Sequence, residues 1–149
     1  MNRVNVIQSI INRKKRVKYL EIGVDKGECF LLVRAKQKYA VDPHFNITLK
    51  SKVKWTFKNP CNMRAKYYEV GSDDYFAYKN HYGGYDVVFI DGLHTYQQVL
   101  ADVFHALSCL KERGVVIVHD CNPPDEAAAH PADSYAHAGS LDIPAWKGV

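Results

Sequence analysis

No apolar run in this 149-residue sequence approaches the roughly 18 positions that a membrane-spanning helix requires. The opening residues, MNRVNVIQSIINRKKR, also lack the apolar stretch and small-residue cleavage site of a signal peptide. The expectation is a cytoplasmic protein with no membrane partner. Cysteine is sparse and scattered: Cys29, Cys61, Cys109 and Cys121 form no C-x-x-C pair, so neither a disulfide framework nor a zinc finger is indicated, and reduced thiols are expected. Internal repeats and low-complexity tracts are absent, and the length suits one domain, residues 1–149, with a real core. The formal charge of +4 comes largely from Arg13, Lys14, Lys15, Arg16 and Lys18, then Lys50, Lys52, Lys54 and Lys58. No aromatic-and-basic module accompanies these residues, so they read as a solvated helix face and loop, and a nucleic-acid partner is not expected.

What is present is an alternation of two periods. Val4, Ile7, Ile10 and Ile11 recur at helical spacing, predicting a leading amphipathic helix. Residues 17–22 (VKYLEI) are rich in strand formers and stop at Gly23. From Gly27 onward ECFLLVRAKQK reads as a helix, and 39–41 as a second strand closed by Asp42-Pro43. Residues 44–65 carry no clear period. A third strand is expected at 66–70, a short helix at 73–79, and the firmest strand at 85–90 (YDVVFI), a nearly continuous apolar run of the kind buried on both faces of a parallel sheet.

Tyr96, Val99, Leu100, Val103, Phe104, Leu107 and Leu110 then form one helical stripe, with Gln97, Gln98, Asp102 and Lys111 off it. Gly114 reads as that helix's stop and 115–118 as a fifth strand. Alternating strands and helices predict an α/β fold with a mostly parallel sheet, in which ligands sit beyond the strand C-termini.

Those strand ends hold the polar residues of interest. The first reads Glu21-Ile22-Gly23-Val24-Asp25-Lys26-Gly27, with glycines that permit a tight turn and close backbone approach to a ligand. A dinucleotide fingerprint would need glycine at positions 25 and 28, where Asp25 and Glu28 stand. Carboxylates there suit a ligand carrying sulfonium and ammonium charges far better than a pyrophosphate. Asp42, ending the second strand, is placed to accept the hydroxyls of a ribose. Asp91-Gly92-Leu93-His94 and His119-Asp120-Cys121-Asn122 follow the fourth and fifth strands, where converging carboxylates and imidazoles can bind a hard cation or move a proton. As plain structure, Asp91-Gly92 is a turn and Thr95 a helix cap.

Together, YLEIGVDKGE, YAVDP, YEVGSDDYF and YDVVFIDGLHTYQQVLADVFHALSCLKERGVVIVHDCNPP resemble class I S-adenosylmethionine-dependent methyltransferases, especially a branch of small-molecule and sugar O-methyltransferases. The resemblance implies a Rossmann-like methyltransferase fold with helices on both faces of the sheet. It implies that Glu21, Gly23 and Gly27 cradle the methionine part of the cofactor, that Asp42 holds the ribose, and that Ser72 and Asp73 lie beside the adenine. Asp91 and Asp120 match carboxylates that hold magnesium in metal-dependent relatives, while His119 stands where some relatives have an acidic ligand. Asn122-Pro123-Pro124 lacks the aromatic fourth residue of the DNA amino-methyltransferase motif and follows the wrong strand, which argues against a flipped base as substrate.

The expected reaction is methyl transfer from sulfonium to a hydroxyl of a small molecule or sugar. His94 or His119 is the candidate general base, and Asp120, alone or with Asp91 through a cation, assists at the hydroxyl. An NAD-dependent oxidoreductase and a cofactor-binding module without activity stay open as alternatives. After Val118 no further β-branched run occurs, and by the resemblance the chain stops before the last two strands of a seven-stranded sheet. Residues 115–118 would then be an edge, to be covered by the tail at 125–149 or by a second copy in a homo-oligomer, with weak or absent turnover by this chain alone.

Overall fold

Asn2 starts the first helix, α1 (Arg3–Ile11), by accepting the Val4 amide on its side chain, and Ile7 and Ile11, one turn apart, are buried. The computed structural model describes residues 2–78 and 84–121. Five strands, β1 (Lys18–Ile22), β2 (Gln37–Asp42), β3 (Lys66–Glu69), β4 (Tyr85–Ile90) and β5 (Leu110–Val118), form one sheet in the order β3-β2-β1-β4-β5. Every pairing is parallel, which is the α/β, Rossmann-like arrangement expected from the sequence. The chain leaves β1 in one direction and later returns to the other side of it with β4. That reversal is the switch point, and it lies between Gly23 and Asp91.

Side chains alternate across the sheet and so divide the core. Tyr19, Val87 and Phe89 join Ile7, Ile11, Phe30 and Val33 on one face. Leu20, Ile22, Val88 and Ile90 join Tyr75 and Ala106 on the other. The second face is covered by α3 (Ser72–Tyr78) and α4 (Tyr96–Ser108), the latter capped by Thr95 as expected.

Three expectations are corrected and one unassigned stretch is defined. Residues following Gly27 do not form a helix. Cys29, Phe30, Leu31, Val33 and Ala35 are all buried, so the segment has no continuous polar face to turn to water and runs as successive turns. Its carbonyls are taken up by buried side chains. Lys38 Nζ donates to the Phe30 carbonyl, Asn59 Nδ2 to Leu31 and Val33 at 3.0 and 2.9 Å, and Asn62 Nδ2 to Leu31 at 3.0 Å. Asn62 Oδ1 in turn accepts from Lys38 Nζ at 2.5 Å. Replacing Asn62 by leucine removes one of the two hydrogen-bond partners of Lys38 Nζ and one of the two of the Leu31 carbonyl, and a loss of about 1–3 kcal/mol in urea unfolding is expected.

Second, the stretch 44–65 is ordered, as α2 (Leu49–Lys58), capped by the Thr48 hydroxyl, and a 3-10 helix at Pro60–Arg64. Third, Gly114 does not stop a helix. α4 ends at Ser108, and Gly114 lies inside β5, where Tyr85 pairs with Leu110 but Val87 with Val115, leaving 111–114 as a bulge with Arg113 at φ 61°. Fourth, α4 is turned about its axis from the expected stripe. Val99, Asp102 and Ala106 face inward, while Tyr96, Leu100, Phe104 and Leu107 are exposed. Small inward residues let the helix sit close to the sheet, and Asp102 is satisfied there by Gln98.

Among the described residues β5 has β4 as its sheet neighbour. The expected covering of its edge by 125–149, and the expected end short of two further strands, concern residues outside those described.

Candidate active site

The first loop is built around two glycines in the left-handed region, Gly23 at φ 80° and Gly27 at φ 74°. Gly23 has a second constraint: a Cβ there would lie 2.1 Å from the Asp91 carbonyl oxygen, so the loop after β1 crosses directly against the end of β4. Backbone bonds lace these ends together, from Gly23 N–H to Val41 O at 2.9 Å, from Asp91 N–H to Ile22 O at 2.8 Å and from His119 N–H to Ile90 O at 2.9 Å.

Asp42 is buried, and its carboxylate is committed to backbone. Oδ2 accepts the Val24 and Asp25 amides at 2.6 and 2.8 Å, and Oδ1 accepts the His44 amide at 2.8 Å. This loop-holding task was not foreseen from the sequence, which reads Asp42 only as a ribose acceptor. It also consumes two amides that a pyrophosphate would need at this turn, which agrees with the failed dinucleotide fingerprint. Asp25, at φ 44°, is fixed by Asn46, whose Nδ2 donates to its Oδ1 at 2.6 Å.

Two chambers meet at this loop and share Gly23, Asp25 and Asp91 as walls. The larger, about 570 Å³, has apolar walls from Ile22, Val41 and Leu93 and a polar rim that includes Asp42, Ser72, Asp73, Gln98 and Asp102. The smaller, about 240 Å³, is lined mainly by charged and polar groups, among them Arg3, Glu21, Glu28 and His94. Glu21 is 1% exposed, accepts the Tyr19 hydroxyl at 2.5 Å, and is pushed by burial up to about 7. Gly27 is not among the residues that line either chamber; a Cβ there would meet the Ile47 and Leu31 side chains at 3.0 and 3.1 Å.

At the rim of the larger chamber Gln98 Nε2 donates to Ser72 Oγ, Asp73 Oδ1 and Asp102 Oδ1 at 3.2, 3.3 and 3.3 Å. Donor atoms of Asp73, Asp102 and His105 come within 4.8 Å of one another there. Gln98 and Asp102 are site residues that the sequence reading missed, because a helical stripe drawn through the larger apolar residues leaves them off the inward face.

The ends of β4 and β5 bring Asp91, His94, His119 and Asp120 together. His119 Nδ1 lies 3.3 Å from Asp91 Oδ1 and 3.0 Å from Asp120 Oδ1, in an orientation that makes no hydrogen bond to either, and His94 Nε2 lies 3.8 Å from Asp91 Oδ1. Burial raises the Asp91 carboxyl above its ordinary range, against the pull of His119, Arg3 and His94. Asp120 adopts φ 51°, a strained position for a non-glycine residue at a site edge. Arg3, from α1, completes the set by donating from Nη1 to Asp91 Oδ2 at 2.6 Å. The sequence offered no signal for Arg3, since its partner is 88 residues away. This arrangement does not fit a magnesium ion held between Asp91 and Asp120. An imidazole already stands between the two carboxylates, and a guanidinium holds the second oxygen of Asp91.

A family model described as a methyltransferase domain matches residues 20–121, the span from β1 to just past β5. The chain belongs to this family. No curated protein matches it. As a methyltransferase domain it is a transferase that uses S-adenosylmethionine, and its crevice lies where the fold places ligands, beyond the strand C-termini on either side of the switch point. The residues present fit that cofactor, because the smaller chamber offers the Glu21, Glu28 and Asp91 carboxylates to cationic groups and the Arg3 guanidinium to a carboxylate, while the larger offers apolar walls to an adenosine. No helix among the described residues is long and apolar enough to cross a membrane.

Proposed function

We propose that the chain transfers methyl to a hydroxyl of a small molecule or sugar, with adenosine in the larger chamber and the methionine end in the smaller. The observation that carries this reading is the joining, at Gly23 and Asp91, of a larger chamber with apolar walls and a carboxylate rim to a smaller one lined by charges of both signs. Ser72 and Asp73 border the adenine, and Asp42 fixes the loop against the ribose with its remaining acceptor capacity. Gly23 allows close backbone approach, and Gly27 lets the loop turn against Ile47 and Leu31. Glu21 and Asp91 face the ammonium, and the Arg3 guanidinium is placed to meet the carboxylate of the methionine end. S-adenosylmethionine, when bound, supplies an electrophilic methyl on a sulfonium.

His119 acts as the general base in this reading. It takes the hydroxyl proton as the oxygen bonds to the methyl carbon and the carbon–sulfur bond breaks, and Asp91 and Asp120 stabilise the imidazolium that forms. His94 lies on the same carboxylate from the other side and orients it. Arg3 already places positive charge at Asp91, and the His119 imidazole stands between Asp91 and Asp120, so magnesium is not part of the proposal. Incubated with S-adenosylmethionine and a panel of hydroxylated small molecules and sugars, the protein should form a methyl ether, and His119→Ala should slow that turnover by about 10²-fold or more at unchanged cofactor affinity. Methylation confined to nitrogen or carbon acceptors would refute the hydroxyl assignment.

Glu21 gives the cofactor assignment a pH signature. Burial holds its pKa near 7 in the free protein, and a cation in the smaller chamber favours the ionised form. Binding therefore releases a proton, and affinity for S-adenosylmethionine should rise about tenfold from pH 6 to pH 8. Glu21→Gln should flatten that rise. A pH-independent affinity in the wild type would show that Glu21 does not face the cationic end.

A further inference from the structure

The lysines of α2 were read from the sequence as a solvated face, but the helix also turns its apolar residues outward. Leu49, Val53 and Phe57, at i, i+4 and i+8, are 77%, 49% and 85% exposed, and Met63 on the following 3-10 helix is 75% exposed. Among the described residues none of these four joins the packed core. α2 is held to the core by Trp55 on its opposite arc and by Lys52, whose ammonium sits 4.3 Å from the centre of the Tyr67 ring. Lys50, next to Leu49, borders the exposed apolar ridge, Lys54 and Lys58 follow along the helix with their ammonium groups 5.6 and 5.3 Å from the centre of the Trp55 ring, Arg64 is next to Met63, and no aspartate or glutamate occurs anywhere from residue 43 to residue 66.

We propose that this α2 face is a docking surface for an anionic lipid bilayer, on which the chain lies without crossing it. An apolar ridge bordered by lysines is the surface an interfacial helix presents. The apolar side chains enter the headgroup boundary while the ammonium groups meet lipid phosphates and carboxylates. A nucleic acid would satisfy the lysines but offers nothing to Leu49, Val53 and Met63, and among the described residues of this face no second exposed aromatic accompanies Phe57 for base stacking. An acidic protein would need to bring its own groove for a projecting ridge. The face is also connected to the crevice: Asn46, just before the Thr48 cap, holds Asp25 of the loop at the chamber wall. Docking through α2 therefore brings the cofactor crevice close to the lipid surface. The proposal stands independently of which acceptor is methylated.

The test is co-sedimentation of the full chain with vesicles of phosphatidylcholine containing about 30% phosphatidylserine, and with pure phosphatidylcholine vesicles. Binding to the anionic vesicles alone is expected. It should weaken at least tenfold in Leu49→Ser/Phe57→Ser and in Lys50→Glu/Lys54→Glu, both of which should keep the wild-type circular dichroism spectrum because the altered side chains point outward. Failure to bind anionic vesicles would overturn the proposal. So would binding that the serine variant leaves unchanged, or retention by a single-stranded oligonucleotide equal for wild type and serine variant without vesicle binding.

Discussion

Gly23→Val should abolish S-adenosylhomocysteine binding and lower stability by about 4 kcal/mol or more. Two independent penalties combine at this position. A side chain at φ 80° is sterically disfavoured, and its Cβ would stand 2.1 Å from the Asp91 carbonyl oxygen and 2.5 Å from Gly92 Cα. Both atoms belong to backbone that is itself hydrogen-bonded, Asp91 N–H to Ile22 O, so relief requires prising β1 and β4 apart at the switch point. Thermal unfolding and calorimetric titration read the two consequences separately. Wild-type affinity in a folded Gly23→Val variant would mean that the loop does not border the cofactor.

How much of this was legible in the sequence follows from the kind of interaction involved. β4 is legible to the residue because YDVVFI is apolar on both faces apart from Asp86, too short for a buried helix and suited to a strand between two others. The glycine loop and the strand-end carboxylates were readable because each sits at the end of such a run. The segment after Gly27 was misread because helical and non-helical apolar runs differ in where their carbonyls go, and these are satisfied by Lys38, Asn59 and Asn62, residues remote in sequence. α4 was misaligned for a related reason: hydrophobicity alone put Phe104 and Leu107 inward, whereas the crevice required Asp102 and Gln98 on that side. Arg3 and the second task of Asp42 are both contacts across the fold, which no local pattern encodes.

Asp42→Ala is the second substitution with a large expected effect. It removes the acceptor of three backbone amides at once, those of Val24, Asp25 and His44, and leaves the first two orphaned beside a buried loop. A stability loss of about 3–5 kcal/mol is expected, with S-adenosylhomocysteine affinity reduced 10²-fold or more, since each amide–carboxylate bond is charge-assisted. Asp42→Asn separates loop-holding from charge. Its single amide oxygen can serve Val24 and Asp25, but its NH₂ then faces the His44 N–H, so an intermediate loss is expected. If Asp42→Ala unfolds at the wild-type urea concentration, the carboxylate does not hold the loop. If it also binds normally, the residue has no part in the site.

The central claim is that the two chambers joined at Gly23 form a single S-adenosylmethionine site. Calorimetric titration of the folded wild-type chain with S-adenosylhomocysteine, and in parallel with NAD, tests it most directly. A saturable one-to-one heat with S-adenosylhomocysteine and none with NAD is the expected result; heat from NAD, or none from S-adenosylhomocysteine, would contradict it.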